Sequence, residues 1–232
     1  MQIESDPDPQ WVAELAGVDL PAAQRALRAA RDQRALFRHL DRTHRQGGRS
    51  SYIEIDAPLE LYALVTLLAP DHVVEVGVSS GVSSAYLLQG LDRRAHGTLH
   101  SVDLPQRDVR PLRRRRNPSW SLPAGRSSGW AVPDRIRKRW DLRLGDKKTV
   151  LPVLVEGLPT VGLFVYDVPH SEEQAARDFA AVDRGFGPGS VAIADHGPTG
   201  GLCAPLHRWA RSRGARPVRR AGLGLYGFRS RK

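Results

Sequence analysis

From residue 58 onward, short apolar runs of strand length alternate with longer segments that carry apolar residues at helical spacing. The apolar runs predict strands at residues 73–76, 98–102, 142–144, 161–166, 190–194, 216–220 and 224–229. The intervening segments predict helices at residues 58–68, 83–91, 147–156, 172–182 and 202–212. This alternation favours an α/β fold, a doubly wound and mainly parallel seven-stranded sheet with helices on both faces. Only the last two strands are predicted to be antiparallel, because so short a segment joins them.

Residues 1–50 precede this pattern and are predicted to form a helical extension that is separate from the sheet. Apolar residues recur there at helical spacing, namely Ala23, Leu27, Ala30, Phe37 and Leu40. Two interpretations stay open, a helical cap over the sheet and an arm that forms a homodimer. We therefore divide the chain into a helical segment, 1–50, and an α/β domain, 51–232.

An insert at residues 105–140 interrupts the alternation of strands and helices. It contains a run of four arginines at 113–116, many prolines, and tryptophans at 120, 130 and 140. A connection of this length is usually functional or disordered, and disordered segments are poor in aromatic residues. We predict a basic lid that becomes ordered over the active site.

Composition limits the class of protein. Hydrophobic residues make up 41% of the 232 residues, enough for a sizeable core. The single cysteine, Cys203, excludes an intrachain disulfide and favours a reducing compartment. The acidic, proline-containing N-terminus is unlike a signal peptide, and no apolar run reaches the roughly 20 residues that span a bilayer. We expect a cytoplasmic protein that does not enter a membrane.

The net charge of +10 is concentrated in residues 105–143 and 196–232. Such segregation could attract nucleic acid or an anionic substrate. The chain has 31 arginines and 4 lysines among its 35 basic residues, however, and this ratio is also typical of a GC-rich genome. Charge alone therefore leaves nucleic-acid binding as an alternative.

A glycine turn follows the first predicted strand, with the pattern Glu75-x-Gly77-x-x-x-Gly81. An acidic residue, Asp103, ends the next strand. In doubly wound sheets a glycine turn lets the backbone approach a nucleoside, and the later carboxylate accepts hydrogen bonds from ribose hydroxyls. The spacing differs from the G-x-G-x-x-G pattern of dinucleotide sites, so a pyrophosphate cofactor is not favoured.

This pattern resembles motif I of the class I S-adenosylmethionine-dependent methyltransferases. The segments at 129–140, 163–171 and 189–197 are similar to the bacterial small-molecule O-methyltransferase branch, which includes macrocin O-methyltransferase-like and cephalosporin-hydroxylase-like proteins. The resemblance covers roughly residues 52–200. It implies a Rossmann-like methyltransferase fold, S-adenosylmethionine as the cofactor and a small-molecule acceptor.

The resemblance also implies a set of residues around the methyl donor. They are Glu75, Gly77, Ser79, Ser80, Gly81, Ser83, Asp103, Gly145, Asp146 and Asp167. The two glycines would leave bare backbone beside the methionine and ribose, and the three serines would hydrogen-bond the methionyl part. Asp103 would hold the ribose hydroxyls. Asp146 would accept from the adenine amine, with a helix N-cap as the alternative role.

A second set of polar residues follows the fourth and fifth strands of the domain. Asp167, Asp195 and His196 match positions that hold Mg²⁺ in some O-methyltransferases of this fold, although histidine suits a softer metal better. His170 is the candidate general base, and Asp167 faces the methyl donor. The alternative for His170 is a cap on the following helix.

The sequence thus predicts an S-adenosylmethionine-dependent methyltransferase that acts on an oxygen of a small molecule. One alternative is an RNA methyltransferase or RNA-binding protein on the same fold, supported by the basic, tryptophan-containing insert. Another is a relative that does not transfer methyl groups, supported by the unusual Val168-Pro169 before His170.

Overall fold

The computed structural model describes residues 6–47, 57–105, 122–123, 125–168, 170–195 and 204–232. Within these ranges the α-helices are Pro9–Ala16 (α1), Leu20–Arg31 (α2), Arg34–Gly47 (α3), Pro58–Leu68 (α4), Val82–Arg94 (α5), Lys147–Glu156 (α6), Glu172–Val182 (α7) and Ala204–Ser212 (α8). The strands are His72–Val76 (β1), Thr98–Asp103 (β2), Trp140–Leu144 (β3), Leu163–Tyr166 (β4), Val191–Asp195 (β5), Val218–Arg219 (β6) and Leu225–Arg229 (β7). Short 3₁₀ helices occupy Asp134–Arg139 and Asp183–Gly185. None of the described helices combines the length and the apolar character needed to cross a membrane.

The strands form one seven-stranded sheet in the order β3-β2-β1-β4-β5-β7-β6. Strands β1 to β5 are parallel, and β7 is antiparallel to both β5 and β6. The predicted doubly wound, mainly parallel sheet is therefore confirmed. The strand order reverses at β1, so the carboxyl ends of β1 and β4 flank the position where such sheets bind ligands.

The sheet separates two hydrophobic clusters, one on each face. Val73 and Val165 lie in the cluster with residues of α1 to α5, whereas Val74 and Phe164 lie in the cluster with residues of α6 to α8. Because both faces are covered, successive residues of a strand are all buried. This is why the central strands appear in the sequence as continuous apolar runs instead of an apolar–polar alternation.

The N-terminal helices share the core of the sheet instead of standing apart from it. Trp11 is buried, and its indole N–H donates to the carbonyl of Val218 at 3.1 Å. The guanidinium of Arg229, at the end of β7, donates to the carbonyl of Ala16 at 2.8 Å. The structure thus favours the cap interpretation of this segment, while the division at residue 50 stays a prediction.

One position of the predicted apolar stripe differs from the structure. Leu36 is buried, whereas Phe37 is only half-buried. The chain leaves the helix at Asp32 and begins a new one at Arg34, which shifts the helical phase of the later residues. A single helical wheel drawn through the whole segment could not include this break.

Residues 125–140, the larger part of the insert that the structure describes, are packed beside the glycine turn, and their role as a lid stays a prediction. Ala131, Val132 and Ile136 are buried in the core. The backbone N–H of Gly129 donates to the carbonyl of Ser79 at 2.8 Å. These residues form a wall beside the glycine turn, since their backbone hydrogen bonds join them to it. The four arginines at 113–116 and Trp120 lie outside the described residues.

Candidate active site

The glycine turn between β1 and α5 has a backbone that only glycine adopts easily. Gly77 and Gly81 both have φ of +96°. A Cβ on Gly77 would lie 1.9 Å from the carbonyl oxygen of Asp167, and one on Gly81 would lie 2.6 Å from a methyl of Val132. The positive φ and the close protein neighbours therefore explain why glycine is needed at both positions. These reasons add to the predicted need for bare backbone beside a ligand.

Asp103 is fixed against this turn. Its carboxylate accepts hydrogen bonds from the backbone N–H of Ser79 at 3.1 Å and of Leu104 at 2.9 Å. Burial raises the pKa of the Asp103 carboxyl, and hydrogen bonds from Ser128 and from these backbone groups oppose that rise. The predicted ribose-binding acid and the predicted glycine turn thus lie together at the carboxyl edge of the sheet.

Glu75 lies in the protein interior and forms a buried polar centre beneath the turn. It accepts from the hydroxyls of Ser83 at 2.7 Å, Ser84 at 2.6 Å and Ser101 at 2.7 Å. Ser101 in turn accepts from the indole N–H of Trp140 at 2.9 Å. The sequence predicted Glu75 among the residues around the methyl donor, and its partners in the described structure are serine hydroxyls that join β1, α5 and β2.

Glu75 makes the stability of the protein depend on pH. Burial raises the pKa of its carboxyl from 4.5 to about 7, against the hydrogen bonds from the serines. Ionisation of Glu75 is therefore easier in the unfolded chain, and its contribution to stability is lost as pH rises from about 4.5 to about 7.

The variant Glu75→Gln should remove this dependence. The free energy of unfolding of wild type should fall as pH rises, whereas that of the variant should not. The difference, variant minus wild type, should therefore increase by roughly 3 kcal/mol from about pH 5 to about pH 8, since each pKa unit corresponds to about 1.4 kcal/mol. Urea unfolding of both proteins at the two pH values measures the difference. An equal change with pH in both proteins would contradict the assignment.

The serines of the turn do not behave alike. Ser83 donates to Glu75, and Ser80 is buried with its hydroxyl 2.9 Å from Nε2 of His44. Nδ1 of His44 lies 2.8 Å from the carbonyl of Leu40, so it carries the proton and leaves Nε2 as the acceptor for Ser80. The hydroxyls of Ser80 and Ser83 are thus directed at protein groups, and Ser79 is left as the serine for a ligand.

Two buried polar atoms beside the turn make no hydrogen bond within the described part of the chain. They are the hydroxyl of Ser79 and the indole nitrogen of Trp130. Buried polar atoms nearly always have a partner in a functional state, so this pair fits a polar ligand at the turn. The guanidinium of Arg126 lies 4.9 Å from the ring centre of Trp130 and adds positive charge.

Trp130 and His44 were missed as site residues by the sequence. The ring centres of these residues are 5.3 Å apart, although they are far apart in the chain. Trp130 was assigned to the lid, and His44 belongs to the helical extension, so neither followed a strand end that marked a site. The one sequence feature that could have indicated Trp130 was the similarity of residues 129–140 to the small-molecule O-methyltransferase branch.

Gly145 and Asp146 follow β3, next to β2. The N–H of Gly145 donates to the carbonyl of Asp103 at 2.8 Å, which brings this turn to the same edge of the sheet. Asp146 is exposed and accepts from the N–H of Lys148 at 2.9 Å as the N-cap of α6. The helix-cap role is therefore present, and the role at adenine stays a prediction.

The end of β4 places Asp167 beside the glycine turn, and His170 follows three residues later. The N–H of Asp167 donates to the carbonyl of Val76 at 2.9 Å. Nδ1 of His170 lies 2.7 Å from the carbonyl of Val168, so Nε2 is its basic nitrogen. The N-cap of α7 is Ser171, which forms a capping box with Gln174. The alternative that His170 caps this helix is therefore wrong.

Asp167 and Asp195 stand at corresponding positions of neighbouring strands, because Tyr166 pairs with Ala194. The third predicted metal ligand, His196, lies outside the described residues. Among the residues that the structure describes, no group of three or more histidine, cysteine or acidic side chains could hold a metal ion. A metal at Asp167, Asp195 and His196 remains a prediction.

Three solved structures illustrate the similarity of the fold. An O-methyltransferase from Bacillus cereus in complex with S-adenosylhomocysteine has a TM-score of 0.57 and 13% identity, covering 85% of this chain and 90% of that one. The O-methyltransferase TomG from Streptomyces achromogenes, in complex with S-adenosylmethionine, has a TM-score of 0.55 and 15% identity over 85% and 90% of the two chains. Cofactor-bound Rv0187 from MTB has a TM-score of 0.55 and 16% identity over 98% and 100%.

At the level of sequence, a family model described as a methyltransferase domain matches residues 74–196. No curated protein matches the chain. The matched stretch is more than half of the chain and begins within β1, just before the glycine turn, so it includes Asp103, Asp146 and Asp167. The chain therefore belongs to the methyltransferase-domain family, which confirms the class I methyltransferase predicted from the glycine turn and the acidic residues that follow it.

Proposed function

We propose that this protein transfers the methyl group of S-adenosylmethionine to an oxygen atom of a small-molecule acceptor. The observation that carries the proposal is the position of Asp103, hydrogen-bonded to the glycine turn beside two buried polar atoms without described partners. The chain also belongs to the methyltransferase-domain family. Two of the structurally similar proteins are named O-methyltransferases.

In this proposal the adenosine and methionine ends of the donor bind different residues at the carboxyl edge of the sheet. Asp103 accepts from the ribose hydroxyls in charge-assisted hydrogen bonds. Asp146 accepts from the adenine amine. The Ser79 hydroxyl and the Trp130 indole N–H donate to the methionine carboxylate, which Arg126 also attracts. The bound donor supplies an electrophilic methyl group on a sulfonium, and the protein aligns the acceptor oxygen with it.

His170 would accept the proton of the acceptor hydroxyl. Its Nδ1–H is held by the carbonyl of Val168, and its ring centre lies 5.0 Å from that of Tyr166, so the orientation of Nε2 is set. Asp167 would face the methyl donor from the end of β4. A divalent metal such as Mg²⁺ at Asp167, Asp195 and His196 is the other way to acidify that hydroxyl.

The variant His170→Gln separates these two mechanisms. Loss of a general base should lower kcat by about 100-fold while the affinity for S-adenosylhomocysteine is unchanged, and EDTA should leave wild-type turnover unaltered. Turnover that EDTA abolishes and that the His170→Gln variant retains would instead favour the metal. Both measurements use the same assay and the same acceptor.

The proposed reaction itself is tested with a panel of phenolic and glycosylated hydroxyl compounds. The protein is incubated with S-adenosylmethionine and each compound, and mass spectrometry follows the methylated product and S-adenosylhomocysteine. We expect both products to form in equal amounts with at least one compound. Failure of the protein to bind S-adenosylhomocysteine in a calorimetric titration would refute the proposal.

Two further parts of the prediction stay proposals. A cytoplasmic location is supported by the single cysteine, which fits a reducing compartment. A homodimer would use the outward faces of α2 and α3, because their inward faces pack in the core. Sedimentation equilibrium would decide whether the chain associates. The RNA alternative rests on the basic insert at 105–140 and its tryptophans, of which the run at 113–116 and Trp120 lie outside the described residues.

A further inference from the structure

A cavity of about 420 Å³ lies between the N-terminal helices and the α4–α5 pair. Its walls come from Asp6 and Pro7, which precede α1, and from α2, α3, α4 and α5. The residues of these helices that matter here are Arg31, Arg34, Phe37, Arg38, Leu59 and Tyr86. None of the residues predicted to hold the methyl donor lines it. The cavity is therefore a separate feature whose chemistry can be considered independently.

Positive charge dominates the polar part of this cavity. Arg31 forms an ion pair with Asp6 at 3.0 Å. The guanidinium groups of Arg34 and Arg38, which are both exposed residues, make no ion pair or hydrogen bond with any residue that the structure describes. They are four residues apart on α3 and thus on the same helix face, where like charges repel each other. Two adjacent guanidinium groups at a cavity wall are the arrangement that binds carboxylates and phosphates.

The opposite wall combines an apolar surface with one buried donor. Leu59 is buried, and Phe37 is half-buried. The side chain of Tyr86 is only 1% exposed, and its hydroxyl makes no hydrogen bond with a described residue and is not among the fully buried atoms that lack one. Burial raises the pKa of Tyr86 to about 12, so the phenol keeps its proton and can donate. The phenol therefore reaches the cavity at its wall, where it can donate to a polar ligand.

We propose that this cavity binds an organic anion. Its phosphate or carboxylate lies between Arg34 and Arg38 and accepts from Tyr86. Its apolar body packs against Phe37 and Leu59. An inorganic ion would leave the apolar wall uncovered, and a neutral apolar molecule would make no use of the two cations and the phenol.

The cavity is close to the methyl-donor site without being part of it. Tyr86 lies in the second turn of α5, the helix that begins at the glycine turn. Phe37 and Arg38 lie on α3, whose last turns bring His44 to Ser80. Because the proposed ligand contacts none of the donor-site residues, its binding does not depend on methyl transfer and is measured without any donor.

The test uses phenyl phosphate as the probe in a calorimetric titration of the full chain, in a buffer without phosphate. We expect saturable binding that the double substitution Arg34→Gln and Arg38→Gln weakens by at least about tenfold. Tyr86→Phe, which removes only the hydroxyl, should weaken binding by about threefold. Inorganic phosphate and benzyl alcohol should each bind at least about tenfold more weakly than the probe, because each lacks half of the recognised groups.

A matched control removes the same charge elsewhere. Arg25 and Arg28 lie on α2, are exposed, and do not line the cavity. Replacing both with glutamine should leave the affinity for phenyl phosphate unchanged. The proposal is overturned if wild type does not bind the probe, if the control variant loses as much affinity as the Arg34/Arg38 variant, or if inorganic phosphate binds as tightly as the probe.

Discussion

Replacing Asp103 with alanine is expected to weaken the binding of S-adenosylhomocysteine at least about tenfold, which corresponds to about 1.4 kcal/mol. The carboxylate is already oriented by the backbone N–H groups of Ser79 and Leu104, so a bound ribose gains two hydrogen bonds without ordering a side chain. Calorimetric titration of the product into both proteins gives the two dissociation constants. Equal affinity would show that the donor binds elsewhere.

The same substitution also removes the hydrogen bonds that the carboxylate accepts from Ser79 in the turn and from Leu104, so its effect on folding has to be separated from its effect on binding. Asp71→Ala is the matched control, because Asp71 is an exposed acid that precedes β1 at the opposite edge of the sheet. It removes the same charge and should leave the affinity unchanged. Urea unfolding of each variant shows whether the titrated protein is folded.

Gly77→Ala is expected to have the largest effect on stability. A methyl group there would lie 1.9 Å from the carbonyl oxygen of Asp167, and the backbone would keep a φ of +96°. Strain of both kinds should cost about 4 kcal/mol or more in the free energy of unfolding, or prevent folding. The loss is measured by urea or thermal unfolding.

Gly222→Ala separates the two causes. Gly222 has φ of +77°, but a Cβ at this position would meet no atom within 4 Å. Only the left-handed backbone is then unfavourable, at a cost of about 1–2 kcal/mol. If both alanine variants lose the same stability, the contact between Gly77 and Asp167 is not important. A much larger loss at Gly77 would show that the glycine turn and the end of β4 are packed as one unit.

The residues of the candidate site that lie at the ends of strands could be predicted from the sequence. Gly77, Asp103, Asp167 and Asp195 each follow a recognisable apolar run, and parallel strands bring such positions to a common edge. Ser80 and Ser83 belong to the same motif, yet their hydroxyls have partners within the protein. Local sequence does not tell which face of a turn meets a ligand, because this depends on the segments packed against it.

The succession of strands and helices along the chain, the glycine turn and the acidic strand ends were all predictable from the sequence. These features follow from periodicity and backbone preference, which act between residues close in the chain. It took the folded structure to show that Trp130 and His44 lie beside the turn, that serine hydroxyls surround Glu75, and that residues 125–140 pack against the turn. Those contacts join residues that are distant in the sequence, and they form only when the whole core packs.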